Sequence, residues 1–164
     1  MIDMRANEIV IVENLKAYLN NDIRPCEVVR QNQVAKIPPY PYVSYTMTTP
    51  LDGMRGTYSK AKDGTLYRTM SQTWSFTVQS DDQDESLQIA MKIYDYFTAA
   101  GLTKLSDNGI SVIRVRDITT RDNLISIQYE YRNGLDVTFG LLYLIAPDSD
   151  MEKNVIETIQ FKEV

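Results

Sequence analysis

QTWSFTVQSDDQDESLQIAMKIYDYF, residues 72–97, holds the two patterns that decide the fold. Its first part alternates. Trp74, Phe76 and Val78 fall on one side of an extended chain and Thr73, Ser75 and Thr77 on the other, the period of a half-buried β-strand. That signal reaches back to Thr65 and stops at Ser80. Ser80-Asp81-Asp82-Gln83-Asp84-Glu85 then opens a helix, because these side chains cap orphaned N–H groups and their charge suits the positive end of the helix dipole. Leu87, Ala90, Met91, Tyr94 and Phe97 recur at helical spacing and predict its buried stripe, while Gly101 predicts its C-terminal stop.

Upstream, Asn7 to Leu19 reads as a first helix capped by Asn7, with Val12, Leu15 and Leu19 on one stripe and Ile11 and Tyr18 beside it. Cys26 to Arg30 predicts a short strand. Pro38, Pro39 and Pro41 remove three backbone donors, so this stretch is expected to enter as extended chain or sheet edge before a strand from Tyr42 to Thr49. Leu51 to Gly64, with Gly53, Gly56 and Asp63-Gly64, predicts a projecting loop or hairpin tip. Downstream of Asp107-Asn108-Gly109, strands are expected at Ile110 to Ile118, Leu124 to Arg132, Leu135 to Ile145 and Val155 to Phe161, with a hairpin turn at Asn133-Gly134. Short turns between successive strands predict an antiparallel meander. The reading is one α+β domain over 1–164, in the order helix, strands, helix, strands, with two helices packed on an antiparallel sheet.

Composition narrows the chemistry. The 164 residues are 43% hydrophobic and 24% charged, the balance of a globular protein, with 17 basic against 22 acidic side chains and a net charge of −5. There is no histidine and a single cysteine. That excludes a Ser-His-Asp triad, a Cys-His pair, histidine zinc sites and any internal disulfide. The acidic balance argues against sequence-independent nucleic-acid binding, which draws on a basic surplus. Met1 to Val12 does not have the make-up of a signal peptide, and the longest apolar stretch, Phe139 to Ala146, is far short of the ~20 residues of a membrane helix. A cytosolic setting is the default expectation.

The densest acid cluster is Asp81, Asp82, Asp84 and Glu85. Hard oxygen ligands of this kind suit a divalent cation, but the EF-hand spacing is absent and carboxylates at a helix start have an ordinary structural use. Asp148, Asp150 and Glu152 read as a solvated hairpin tip. No glycine-rich phosphate loop is present. No catalytic, metal or cofactor site is expected. Charge is instead segregated. Arg55, Lys60, Lys62 and Arg68 face only Asp63 in one segment, whereas Asp81, Asp82, Asp84, Glu85 and Asp95 face only Lys92 in another. Two such surfaces are either solvated separately or meet between neighbouring subunits. Leu141 to Ile145 is apolar on both strand faces, so cover is expected on both.

Three segments together carry a resemblance: IPPYPYVSYTMTTP (37–50), the 72–97 stretch, and RNGLDVTFGLLYLIAPDSDMEKNVIETIQF (132–161). In this order and at this length they resemble the neck or tail terminator proteins of tailed bacteriophages. The resemblance implies a non-enzymatic virion subunit that closes into a ring, usually a hexamer, on the head-proximal end of the tail tube. It implies contacts with the major tail-tube protein and with a head-completion or connector protein, DNA passing through the lumen without specific binding, and no membrane. Assembly would take place in the host cytoplasm, and the mature site would be the head–tail junction. Met54, Arg55, Tyr58 and Lys60 are then the expected docking element, and Asp81, Asp82, Asp84 and Glu85 the expected subunit seam or lumen. The alternative is another neck component, a head-completion or connector adaptor protein.

Overall fold

The computed structural model describes residues 4–20, 24–31, 36–53, 58–125 and 128–146. The expected strand at Val155 to Phe161 and the acids at 148, 150 and 152 lie outside the described residues. Helix α1 runs Met4–Leu19, β1 Glu27–Arg30, β2 Tyr42–Asp52, β3 Ser59–Lys60 and β4 Leu66–Ser80. Helix α2 is Gln83–Asp95; a π-helical turn at Tyr96–Ala100 joins it to α3, Leu102–Asp107. Strands β5 Ser111–Val115, β6 Thr119–Thr120, β7 Asn123–Ile125 and β8 Gln128–Ile145 complete the order. The class is α+β with a mostly antiparallel sheet and few helices.

The sheet order is β1-β2-β4-β8-β5, with β3 alongside β4 and β6 and β7 alongside β8. Two departures from a meander stand out. β1 pairs with β2 in parallel, Val28 opposite Val43. β8 skips over β5 to lie beside β4 along their shared length, from Leu66 opposite Ile145 to Ser80 opposite Tyr131. The prolines at 38, 39 and 41 come before β2 and do not mark a sheet edge, since β2 lies between β1 and β4. Pro50 does sit inside β2, but beyond the reach of β1, whose pairing ends at Arg30 opposite Tyr45, so no ladder bond is lost there.

The helices cover one face of the sheet. On that face Val43, Tyr45, Trp74, Phe76, Val78, Leu135, Val137, Phe139 and Leu141 are buried beneath Ile11, Leu15 and Leu19 of α1 and Ala90 and Ile93 of α2. An aromatic cluster joins the layers. Phe97, just past α2, lies 5.2 Å from Phe76 and 5.4 Å from Phe139, ring centre to ring centre, and Trp74 stacks on Tyr45 at 5.4 Å. Each such pair contributes about 0.5–1.5 kcal/mol beyond its burial. Gln72, buried among these rings, accepts from Trp74 Nε1 at 3.3 Å and donates to the Pro50 carbonyl at 2.7 Å, so neither polar group is stranded.

Four sequence expectations require correction. The buried stripe of α2 is Ser86, Ala90 and Ile93, continued by Phe97; Leu87, Met91 and Tyr94 face outward. Small Ser86 and Ala90 let the helix axis approach the sheet, which larger side chains at those positions would prevent. Gly101 is no left-handed cap, with φ −94°, and the helical path continues beyond it. Its missing side chain makes room for the buried Tyr96 ring, since a Cβ there would meet that ring's Cζ at 2.4 Å. Asn133-Gly134 is no hairpin turn: β8 runs through it, pairing Asn133 with Val78 and Gly134 with Thr77. Finally, Leu124 to Arg132 is not one strand. It folds back so that Ile125 lies opposite Gln128 and Leu124 opposite Tyr129.

Candidate contact surfaces

The predicted acidic cluster forms the start of α2 and is largely occupied by its own structure. Asp82 is the N-cap, accepting from the Glu85 N–H at 2.9 Å. The Ser80 hydroxyl accepts from the Asp82 N–H at 3.1 Å and donates to Glu85 at 2.5 Å, closing a reciprocal cap. Arg24 then clamps Glu85 with two bonds at 2.8 and 3.0 Å and reaches the Tyr40 carbonyl at 2.8 Å; Asp81 stands 4.0 Å from the same guanidinium. Asp84 points to solvent in the first turn. Among the described residues no cluster of three or more acidic, Cys or His side chains is placed to hold a metal ion.

Of the predicted docking residues, Met54 and Arg55 lie outside the described residues. Tyr58 lies under the Arg68 guanidinium, 4.6 Å from carbon to ring centre, a cation–π contact that ties the base of the loop to β4. Lys60, on β3 opposite Leu66, is exposed. Past Gly140, which lies opposite Ser111 at the start of β5, the β4–β8 ladder is flanked among the described residues only by the end of β2 and the two residues of β3. The described part of this segment, residues 51–53 and 58–64, therefore lies at the end of an arm built on β4 and β8. It stands at one end of β4 and the acidic helix start at the other, about 45 Å apart for a 15-residue strand at ~3.3 Å per residue. Within one copy these opposite charges do not meet.

The sheet face opposite the helices divides in two. Near its centre it is a Ser/Thr surface held by Arg121, which donates to Ser75 at 2.7 Å and Thr77 at 3.1 Å and pairs with Asp136 at 3.2 Å. Toward the arm it turns apolar. Tyr67, Leu142 and Leu144 share this face by register, and Ile113, displaced by a bulge in β5, folds over Gly140. Ile113 is 57% exposed and Leu142 51%. At the opposite end, a cavity of about 230 Å³ is lined by Arg30, Lys36, Tyr42, Ser44, Gln79 and Arg132. A second apolar surface lies on the outward side of α2, where Leu87 and the 52%-exposed Met91 continue into a groove of about 340 Å³ lined by Met91, Tyr94, Asp95, Asp117 and Ile118.

The titratable groups that are shifted suit structure better than catalysis. Burial, then the nearby Glu85 and Glu27, pushes the Cys26 thiol up to about 11, which leaves it protonated and a poor nucleophile at neutral pH. Tyr40 is pushed up to about 12, first by its bond to Glu130 at 2.5 Å and then by desolvation. Glu130 is buried, and Arg132 bonds its other oxygen. Sequence reasoning missed this Tyr40–Glu130–Arg132 set. In the sequence Glu130 merely alternates with Tyr129 and Tyr131, and no local spacing records that Tyr40, 90 positions earlier, reaches it. The outward stripe of α2 was visible as apolar spacing but assigned to the core.

The protein is a sheet with helices on one face and exposed apolar side chains on both, an arrangement suited to contacts with other proteins. Its family is known more narrowly. A family profile described as phage neck terminator protein matches residues 10–163, and the chain belongs to that family. This is a structural family of the bacteriophage virion, with a place at the neck among head and tail proteins. No curated protein matches the chain. No helix among the described residues is long and apolar enough to cross a membrane.

Proposed function

We propose that copies of this chain, each a single domain over 1–164, close into a hexameric ring that caps the head-proximal end of the tail tube. The ring ends tube polymerisation and forms the joint to the head. One of its faces imitates a layer of the tube and binds the last ring of major tail-tube protein. The other lacks the surface needed for further addition and receives a head-completion or connector protein. DNA passes through the lumen without specific binding, assembly takes place in the host cytoplasm, and the protein remains in the virion at the head–tail junction.

Family membership supports the terminator role, and the observation that carries the mechanism is the arm. The arm carries β3 paired with the start of β4, with Lys60 and Lys62 exposed, at the far end of β4 from the acidic helix start. Met54, Arg55, Tyr58 and Lys60 are its docking residues. Asp81 and Asp84, the acids of the cluster not consumed by capping, lie at the subunit seam or face the lumen, where they repel phosphate and let DNA slide; Asp82 and Glu85 hold them in place. Replacing Arg55 and Lys60 with glutamate leaves the fold intact and blocks the joining of heads to tails. Infectious particles at the normal yield from that variant would refute the docking role.

A further inference from the structure

We infer that the ring seam is made by α2 of one copy lying on the open sheet face of the next, with Leu87, Met91 and Tyr94 against Tyr67, Ile113, Leu142 and Leu144. This rests on the ring reading above and names the surfaces that close it.

Three observations converge. The two apolar surfaces belong to opposite sides of the same sheet, one on the outward side of the helix layer and one on the uncovered face. A head-to-tail contact that repeats around a ring requires two different patches of this kind, whereas a two-fold dimer requires one patch that matches itself. Their lengths also agree. Leu87 to Tyr94 spans about 10 Å of helix at ~1.5 Å per residue, and Gly140 to Leu144 about 13 Å of strand at ~3.3 Å per residue. Charge is complementary as well. Asp84, Asp95 and Asp117 border the helix surface, with Lys92 beside them. The open face carries Arg114 next to Ile113 and Lys36 farther along, while Arg121 and Arg132 are paired there with Asp136 and Glu130 and one acid, Asp52, lies opposite Ser71. A helix docked there gives Leu141 to Ile145 apolar cover on both sides, its own core on one and a neighbour's helix on the other. Such patches left open in a monomer are the type that marks an interaction surface.

Cysteine substitutions at exposed positions test the contact on the full chain. Met91→Cys, Leu142→Cys and the double variant are treated with a short bis-maleimide, alone and with purified tail tubes. Wild type, with Cys26 buried, is the unreactive control. The double variant is expected to give a ladder of covalent species above the dimer, and each single variant no more product than wild type. Dimers from Met91→Cys alone would mean a two-fold contact and overturn the inference. Rings seen by electron microscopy without a ladder, whatever covers the open face instead, overturn the seam and leave the ring reading standing. Absence of any oligomer with or without tubes overturns both.

Discussion

Replacing Gly134 with alanine would place a methyl carbon 2.6 Å from the Phe76 carbonyl oxygen, 2.9 Å from Arg121 Nη1 and 3.0 Å from Thr77 Oγ1. The first of these contacts is to backbone in the β4–β8 ladder and relaxes only if the two central strands part. Forced insertion of this sort costs about 1–3 kcal/mol. The second displaces Arg121 from Ser75, Thr77 and Asp136, where each bond is worth about 0.5–1.5 kcal/mol and the loss is partial. Against this, alanine lowers the entropy of the unfolded chain, an offset of about 0.4–1 kcal/mol. The net expectation is a loss of roughly 1–3 kcal/mol, seen as a lower urea midpoint at unchanged slope and a melting temperature lower by about 2–4 °C per kcal/mol. An Asn-Gly turn predicts a similar single-site loss, so the deciding assay is a double-mutant cycle with Arg121→Ala. Residues in contact couple by about 0.5–3 kcal/mol, whereas independent sites add within ~0.5 kcal/mol. Additive losses would refute the path of β8 through Gly134.

Asp82→Ala removes the α2 cap and is expected to cost about 0.5–2 kcal/mol in a chemical denaturation series. The two faces of α2 separate in the same assay: Ile93→Ala should cost about 2–5 kcal/mol and Met91→Ala under ~0.5 kcal/mol in the unassembled chain. The Tyr45 hydroxyl is held protonated, first by burial and then by its 2.6 Å bond to Glu8. Its folded-state pKa lies above the unfolded value, so its contribution to stability is full below pH ~10 and lost as pH rises above it. Tyr45→Phe should therefore flatten the alkaline fall of stability; an unchanged slope above that pH would contradict the assignment.

Much of the fold was legible where local pattern and tertiary role agree. Trp74, Phe76 and Val78 alternate because one face of β4 is covered by helices, and Val12, Leu15 and Leu19 recur because α1 lies on that layer. The errors have a common cause: a residue's chemistry has more than one structural use. Leu87, Met91 and Tyr94 are the larger apolar residues of α2, yet close packing on the sheet selected the side with Ser86 and Ala90. Asn133-Gly134 has turn chemistry, but Asn133 donates to Ser86 Oγ at 3.1 Å across the core and Gly134 admits Arg121. The parallel pairing of β1 with β2 depends on where the chain returns after α1, which no local spacing records. At the site, the charge segregation was plain in the sequence. The open-face patch was legible in part, as the two-faced apolar run Leu141 to Ile145, but Ile113 joins it only through the β5–β8 pairing that brings it to Gly140.

The proposed role of this protein is to end the tail tube. Electron microscopy of particles assembled by phage lacking this chain measures it directly, through the distribution of tail lengths. Tails of uncontrolled length, none joined to heads, are the predicted result. Tails of normal length beside full, unjoined heads would contradict the terminator role and assign the chain to the adaptor layer of the neck.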